Sequence, residues 1–482
     1  MVLRLLLALV LVAVCGAADR KLSALIVDGM NNHDWAAATR AIQAILEGSG
    51  RFTVEVSTWP TTPVFRGHDV VIDNFNGGHT ESGIRWPHDV ESALEEYVSG
   101  GGGLVVFHAA NNAFLKWAEF NDMIGLGWRD KSFGPAIAVG PGGTLVTTPK
   151  GSGLNPGHGP RHDFEVFVRD PDHPITHGLP EHWLQPSEQL THGQHGPVQG
   201  LTVLTYAFSE ISRQGEPMDW IRRYGRGRVY TTMLGHTWKD ELNPNLDNLN
   251  FQALLARGAE WVGTGTVTLP ADLGWRPLFN GKDLEGWERR GDCTWSVLPG
   301  GILFGTRAAG ATIPRNQQEF RTWESTQAWL YTKAEFDQFD LHVEYWLPPH
   351  GNSGISIRDR SRAHAAIGEA DAARPDLASF PKTTPAHVGY EIQILDDDDT
   401  YPSGSIYGLV PAKKAVHRPG AWNSLDLESR PGLIRVRVNG QIVAEGPGDP
   451  ARPKTGPLGL QLHDRFTTVM FRNLRVRPLP FR

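Results

Sequence analysis

Cysteine is nearly absent from this chain. Its 482 residues include two, Cys15 and Cys293, and only Cys293 lies beyond the first twenty positions. A lone interior thiol closes no intramolecular disulfide, so stability must come from large apolar cores, which a chain of this length can build as two domains. Long hydrophobic runs are also scarce. One apolar stretch, residues 5–14, follows Arg4 and precedes Gly16-Ala17-Ala18. That order predicts a secretory signal peptide over residues 1–18. The run is short for crossing a bilayer, and no later segment resembles a membrane span. Val14 is bulkier than lipoprotein processing prefers, which speaks against anchoring through Cys15. The expected location is the periplasm or outside the cell. A strong charge excess is missing as well. The formal charge of −7 gives no electrostatic case for nucleic acid or an anionic membrane. No oligomeric state follows from the sequence.

Glycine (54) and proline (34) are plentiful but spread out, which suits many short strands and turns. Tryptophan is high at 16. Exposed indoles stack on sugar rings, although most tryptophans of a globular chain sit in cores.

Residues 20–265 alternate strands with helices. Residues 21–28 read as a buried strand and 36–46 as a helix with Ala38, Ile42, Ile45 and Leu46 on one face. Residues 52–57 and 69–73 read as strands, and 87–98 as a helix with Pro87 in its first turn. Residues 104–108 and 227–234 complete the pattern. This alternation predicts a mostly parallel sheet covered on both sides. In such sheets ligands bind beyond the carboxyl ends of the strands. Polar residues recur there: His33 and Asp34 after the first strand, Asn76 after the third, His108 and Asn111 after the fourth, and His236 after the strand at 227–234. Thirteen of the nineteen histidines precede residue 265. The set predicts a small-ligand site, or a divalent metal held by His33, Asp34, His108 and His236, since neutral imidazole and carboxylate ligate transition metals. No pair has tight helical ligand spacing. The plainer alternative is that these side chains cap helices and bond loop backbone.

The phrases GGGLVVFHAANNAF, DPDHPITHGLP and WIRRYGRGRVYTTMLGHTW resemble the trehalose-utilisation (ThuA-like) domain. The resemblance implies a fold similar to class I glutamine amidotransferases, flavodoxin-like in its parallel sheet. In those enzymes the turn after the equivalent strand carries a cysteine nucleophile. Here it holds His108, so thiolate chemistry is excluded. What the resemblance implies instead is a link to the metabolism of sugars, oxidised disaccharides in particular.

Residues 266–273 are small, polar and contain proline, and read as a linker. Residues 274–479 carry short β-rich segments at close spacing, which predicts an all-β sandwich or jelly roll. Asn439-Gly440, flanked by IRVRV and QIVAE, is a strong hairpin signal. Residues 364–387, rich in alanine and proline, read as an insertion lying over a site. Alternation assigns faces. Leu341, Val343 and Tyr345 point inward, leaving His342 and Glu344 outside. Ile355 and Ile357 leave Ser356 and Arg358. Ile392 and Ile394 leave Glu391 and Gln393. Leu460 and Leu462 leave Gln461 and His463. If these strands share one sheet, Glu344, Arg358, Glu391, Gln393, Gln461 and His463 meet on one face. Asp396–Asp399 offers oxygen ligands for Ca²⁺, but such a run is more often a solvated loop.

PLFNGKDLEGW, WLYTKAEFDQFDLHVEYW, GNSGISIRDR, GYEIQILDDD, GSIYG, RPGAWN and FRNLRVRPL resemble, in order, the 3-keto-glucoside 1,2-lyase/3-keto-2-hydroxyglucal hydratase domain, also described as a 3-keto-disaccharide hydrolase domain. The resemblance implies a concanavalin-like sandwich acting on oxidised (3-keto) glucosides or disaccharides. A C3 ketone makes the C2 proton acidic, so a base can remove it and the C1 substituent can leave by β-elimination. Water can then add to the resulting glucal. This needs a base, a cation or donor for the enolate, and an acid for the leaving oxygen. His463 or Glu391 is the candidate base, Arg358 the enolate cation and Glu344 the acid. Gln393, Gln461, Tyr407 and Trp329 are the candidate substrate contacts. No cofactor is certain, and a divalent metal is open. Two alternatives stand beside this reading: a non-catalytic carbohydrate-binding protein, and a two-carboxylate glycosidase with Glu344 and Glu391 as its pair.

Overall fold

A computed structural model describes residues 20–77, 85–307, 316–318, 327–364, 366–367, 384–395 and 397–479. The leader expected over residues 1–18 and most of the insertion expected at 364–387 lie outside the described residues.

The N-terminal half is built on an eleven-stranded mixed sheet. Its parallel part consists of β1 (Leu22–Asp28), β2 (Phe52–Thr58), β3 (Val70–Asp73) and β4 (Gly103–Phe107), in the order β2-β1-β3-β4, followed by the strand Gly227–Thr232 beside β4. Two apolar layers cover it. On one face α1 (Trp35–Gly48) brings Ala38, Ile42, Ile45 and Leu46, joined by Phe251, Leu254 and Leu255 of the helix Leu249–Thr264. On the other face α2 (His88–Ser99) brings Val90, Leu94 and Val98 against Phe120, Met123 and Ile124. The expected helices and strands of this part are therefore present.

The sheet is not mostly parallel throughout. Beyond Gly227–Thr232 it continues with Gln214–Tyr224, Thr202–Ser209, His162–Val168 and His182–Glu188, all antiparallel. The reason is local. Residues 136–224 connect strands by turns, and a parallel pair needs a long crossover that this stretch does not supply.

The C-terminal half packs an eight-stranded antiparallel sheet on a five-stranded one. The larger sheet centres on Phe339–Trp346, flanked by Thr468–Pro478 and Trp422–Arg430. The smaller runs Trp287–Arg290, Ala328–Thr332, Leu458–Leu462, Asn352–Ile357 and Tyr390–Leu395. Leu341, Val343, Tyr345, Ile355, Ile357, Ile392, Ile394, Leu460 and Leu462 fill the space between them, as alternation requires. Among the described residues no helix is long and apolar enough to cross a membrane.

The two halves touch through polar groups. The edge strand His182–Glu188 of the mixed sheet lies against the outer face of the eight-stranded sheet. Leu184 N–H donates to Glu344 Oε1 at 3.1 Å, and Arg472 reaches Glu165 Oε1 at 2.5 Å. An edge covered in this way is not available to pair with another chain. The Asn439-Gly440 turn joins Leu433–Val438 to Gln441–Gly446 with φ of 49° and 73°, the left-handed pair that a two-residue hairpin prefers. Its tip sits on the N-terminal half: a Cβ on Gly440 would lie 1.9 Å from Pro244 Cβ. Gly440→Ala therefore meets both a conformational penalty and a clash across the interface. A loss of at least about 1 kcal/mol is expected in urea unfolding, with faster proteolysis of the linker at 266–273. Unchanged stability and proteolysis would show that the turn does not bear on the contact.

Candidate functional site

The outer face of the five-stranded sheet gathers most of the residues that alternation placed there. Trp329 stands opposite Gln461, and Gln393 opposite Gly354. Ser356 is flanked by Gly459 on one side and Glu391 on the other. Glu391, Gln393 and Gln461 are all buried. Gly354 makes this arrangement possible. A Cβ there would sit 2.8 Å from Glu391 Oε1 and 3.2 Å from Gln461 Oε1, so the carboxyl and the amide lie over a strand position that has no side chain. The Gln461 amide lies beside the Glu391 carboxyl as its polar neighbour on this face.

Burial dominates the electrostatics of Glu391 and pushes its carboxyl up to about 7. His463 and Gln461 offset this in part, and the nearby Asp359 adds to it. Asp359 is itself held in place by four donors: Tyr331 Oη–H at 2.6 Å, Ser361 N–H at 3.0 Å, Ser361 Oγ–H at 2.5 Å and Ala363 N–H at 2.7 Å. A carboxyl poised near neutrality can take a proton and later return it.

His463 lies just past the end of Leu458–Leu462. Its side chain is about one-third exposed, with Nδ1 3.7 Å from Asp464 Oδ2, so it belongs to the mouth of this face. Tyr407 is at the rim. Its N–H bonds to the Glu391 carbonyl, and its exposed ring lies 5.2 Å from that of Tyr401. Trp329 is on the face but completely buried. It stacks on Tyr331 at 5.6 Å and packs with Ala363, Ala366 and Ile367, so in this structure it is floor rather than an open stacking surface.

Two candidates are elsewhere. Glu344 faces outward, but from the other sheet. It is fully buried at the contact between the halves, where Arg472 Nε donates to Oε2 at 2.7 Å and Asn473 Nδ2 to Oε1 at 2.9 Å. Burial opposes its ionisation, yet Arg472 and His342 outweigh burial and pull the carboxyl down to about 2. It is not a general acid, and it does not pair with Glu391 as a glycosidase couple. Arg358 also leaves the face. Its φ of 60° breaks the alternation of Asn352–Ile357, and the guanidinium turns in to the Asp337 carbonyl at 3.1 Å and Ser429 Oγ at 2.7 Å. It is not available to an enolate on the Glu391 side. The aspartate run is a turn: Asp398 Oδ1 accepts from Thr400 N–H and Tyr401 N–H, Asp397 pairs with His350, and Asp396 lies outside the described residues.

A second constellation occupies the carboxyl ends of the parallel strands. His33, His108 and His236 point together, with ring centroids 4.8–5.3 Å apart and planes nearly perpendicular. His108 directly follows β4 with φ of 44°, a left-handed conformation uncommon for a residue with a side chain. Burial lowers its imidazole to about 4, partly offset by hydrogen bonds to the Met233 carbonyl and to Gln189. Burial also lowers His236, and its two histidine neighbours add to the effect. The other three predicted residues do different work. Asp34 caps α1, its Oδ1 accepting from Ala37 N–H at 3.0 Å. Asn76 bonds Asn32, and Asn111 donates to Gln194 Oε1 at 2.6 Å and to Met233 Sδ at 2.9 Å. The three imidazoles border a cavity of about 340 Å³ whose walls include Trp128, Arg161, Gln189 and Trp238. Those four were missed because each comes from a loop or an antiparallel segment, outside the strand-end pattern that found the histidines.

Residues 23–262 match the family described as trehalose utilisation (ThuA), and residues 274–477 match the 3-keto-alpha-glucoside-1,2-lyase-like domain. Among solved structures, a ThuA-like protein from Parabacteroides merdae is 34% identical, covering 52% of this chain and 93% of its own, with a TM-score of 0.49. A candidate glycosyl hydrolase from Parabacteroides distasonis is 24% identical, covering 43% of this chain and 95% of its own, with a TM-score of 0.32. A comparison with curated proteins found no match.

The assignment of Glu344 has a measurable consequence. Glu344→Gln leaves Arg472 buried with one of its two carboxylates and is expected to cost about 3 kcal/mol at neutral pH. Because the folded carboxyl sits near 2 and the ordinary one near 4.5, the stabilisation is present above pH 4.5 and is lost as pH falls toward 2. The gap between wild type and variant should therefore close in acid. A gap that is absent at pH 7 would remove Glu344 from the interface.

Proposed function

We propose, on the premise that the chain belongs to the ThuA (trehalose-utilisation) family and carries a 3-keto-alpha-glucoside-1,2-lyase-like domain behind it, that this protein is a carbohydrate-active enzyme cleaving 3-keto-glycosides. The supporting observation is Glu391, buried among Gln393, Gln461 and Ser356 and titrating near 7. A carboxylate on a plain sugar-binding face gains nothing from such a shift, whereas a proton-abstracting base needs one.

In this reading the C3 ketone acidifies the C2 proton and Glu391 takes it. The electron pair passes into the C2–C3 enolate, whose oxygen is met by amide N–H donors of Gln393 and Gln461. The pair then forms the C1=C2 bond as the C1–O bond breaks. The leaving oxygen takes its proton from His463 at the mouth. Water then adds across C1=C2, its oxygen bonding to C1 and its proton passing to His463 while C2 takes back the proton held by Glu391, so the free 3-keto sugar forms, both groups are restored, and the sum is hydrolysis without an oxocarbenium ion. Tyr407 at the rim contacts the aglycone side. The leader-like residues 1–18 favour an exported enzyme working in the periplasm or outside the cell.

Incubation with a 3-keto-glucoside and with its unoxidised parent tests the reading. Cleavage and C2 proton exchange, followed by NMR, are expected only with the oxidised sugar. Their rate should rise as pH passes upward through about 7 and Glu391 ionises. Glu391→Gln should slow both by at least ~100-fold. Stability should move the other way. Folding favours the neutral carboxyl, so Glu391 contributes stability below about pH 4.5 that is lost as pH rises to 7. The glutamine variant, spared that loss, should be the more stable protein at pH 8, by up to roughly 3 kcal/mol. Full turnover by a folded Glu391→Gln protein would falsify the assignment.

A further inference from the structure

We propose that His33, His108 and His236 form a mononuclear site for a divalent transition metal such as Zn²⁺, with an open coordination position facing the cavity of the ThuA domain. This site lies in a different domain from Glu391 and does not depend on the reaction proposed there.

The geometry carries the inference. One nitrogen from each ring lies within 4.8 Å of the others, and no carboxylate or thiolate joins the cluster among the described residues. Zn–N bonds of about 2.0–2.1 Å in tetrahedral geometry put ligand nitrogens about 3.4 Å apart. Small side-chain rotations therefore close the set around an ion. The three ring planes stand at 86–89° to one another, so the rings meet edge to face instead of stacking.

The surroundings fix which nitrogen faces inward. Nδ1 of His108 is held by the Met233 carbonyl at 2.6 Å, which makes it the N–H and leaves Nε2 as the lone pair. Nδ1 of His33 lies 3.2 Å from both Asn31 Oδ1 and Asn32 Oδ1, with the same result. Outer partners of this kind orient metal-binding histidines. His236 is positioned through its backbone. Its N–H and that of Gly235 donate to the buried Glu188 carboxylate at 3.0 and 2.8 Å, and Asn245 holds its carbonyl at 2.9 Å. Its own Nδ1 is buried and has no hydrogen-bond partner among the described residues. Buried polar atoms are nearly always satisfied, and a metal ligated by this Nδ1 supplies the missing partner.

The donor set narrows the ion. Three imidazoles without thiolate suit zinc, nickel, copper or iron and not Mg²⁺ or Ca²⁺, which take oxygen ligands. Three protein ligands instead of four leave a position for water or a substrate oxygen, as in catalytic rather than structural zinc sites. That position opens on walls of Trp128, Arg161, Gln189 and Trp238, aromatic planes and polar donors suited to a hydroxylated ring.

The full-length protein, stripped with chelator and then dialysed against Zn²⁺, tests the site. About one equivalent should be retained, and Zn²⁺ should raise the melting temperature. Loaded with Co²⁺ instead, the protein should show visible absorption that shifts on addition of azide, the probe of the open position. His108→Ala and His236→Asn should each weaken binding by more than the roughly 10–100-fold that loss of an outer-shell partner costs. His158→Ala, on the same cavity wall but outside the cluster, should bind as wild type does. Circular dichroism checks each variant's fold, and His236→Asn, which keeps a polar side chain, stands in if His108→Ala does not fold. Failure of the wild type to retain metal, equal binding in the cluster variants, or a cobalt spectrum indifferent to azide would overturn the proposal.

Discussion

The buried ion pair between Glu344 and Arg472 is the interaction on which the arrangement of this molecule depends. A charged pair removed from water is tolerated only when its remaining hydrogen-bond positions are filled. Here Asn473 and the Leu184 backbone fill them on the carboxylate side, and Glu165 and the Trp422 ring on the guanidinium side. Two of these groups belong to the sandwich and two to the ThuA domain. The pair is therefore complete only when the halves are together. Its position also decides which surface is left for ligands. The eight-stranded sheet gives its outer face to the neighbouring domain, and the five-stranded sheet keeps its own.

Much of the second domain's chemistry is legible in period-two alternation. Glu391, Gln393 and Gln461 share a face because Ile392, Ile394, Leu460 and Leu462 are drawn into one core. The same logic misplaces Glu344. A sandwich has two outward faces, and alternation says that a side chain points out without saying from which sheet. Arg358 fails for another reason. Alternation holds only while the backbone stays extended, and a single left-handed residue at the strand's end reverses the direction of its side chain. Nothing in the GISIRDR phrase marks that turn.

In the first domain the rule that ligands gather at the carboxyl ends of parallel strands finds His33, His108 and His236. It does not separate them from Asp34, Asn76 and Asn111, which occupy the same edge but serve the backbone and one another. That distinction rests on one-residue differences in direction, such as Asp34 capping a helix while His33 next to it faces the cavity. The antiparallel half of the sheet was hidden because its strands carry little of the helix-alternating signal that defined the rest.

Gly354 gives the outer face of the small sheet a property that no side chain supplies. The space above it is taken by the Glu391 carboxyl, closer than a methyl group would allow, and by the Gln461 amide, which a methyl group would crowd. The depth at which the acid sits, and with it the desolvation that shifts its titration, is thus set by a missing carbon. Tuning of proton affinity in this protein is written partly in a residue that can neither donate nor accept through a side chain, and a catalogue of its polar groups would pass over it.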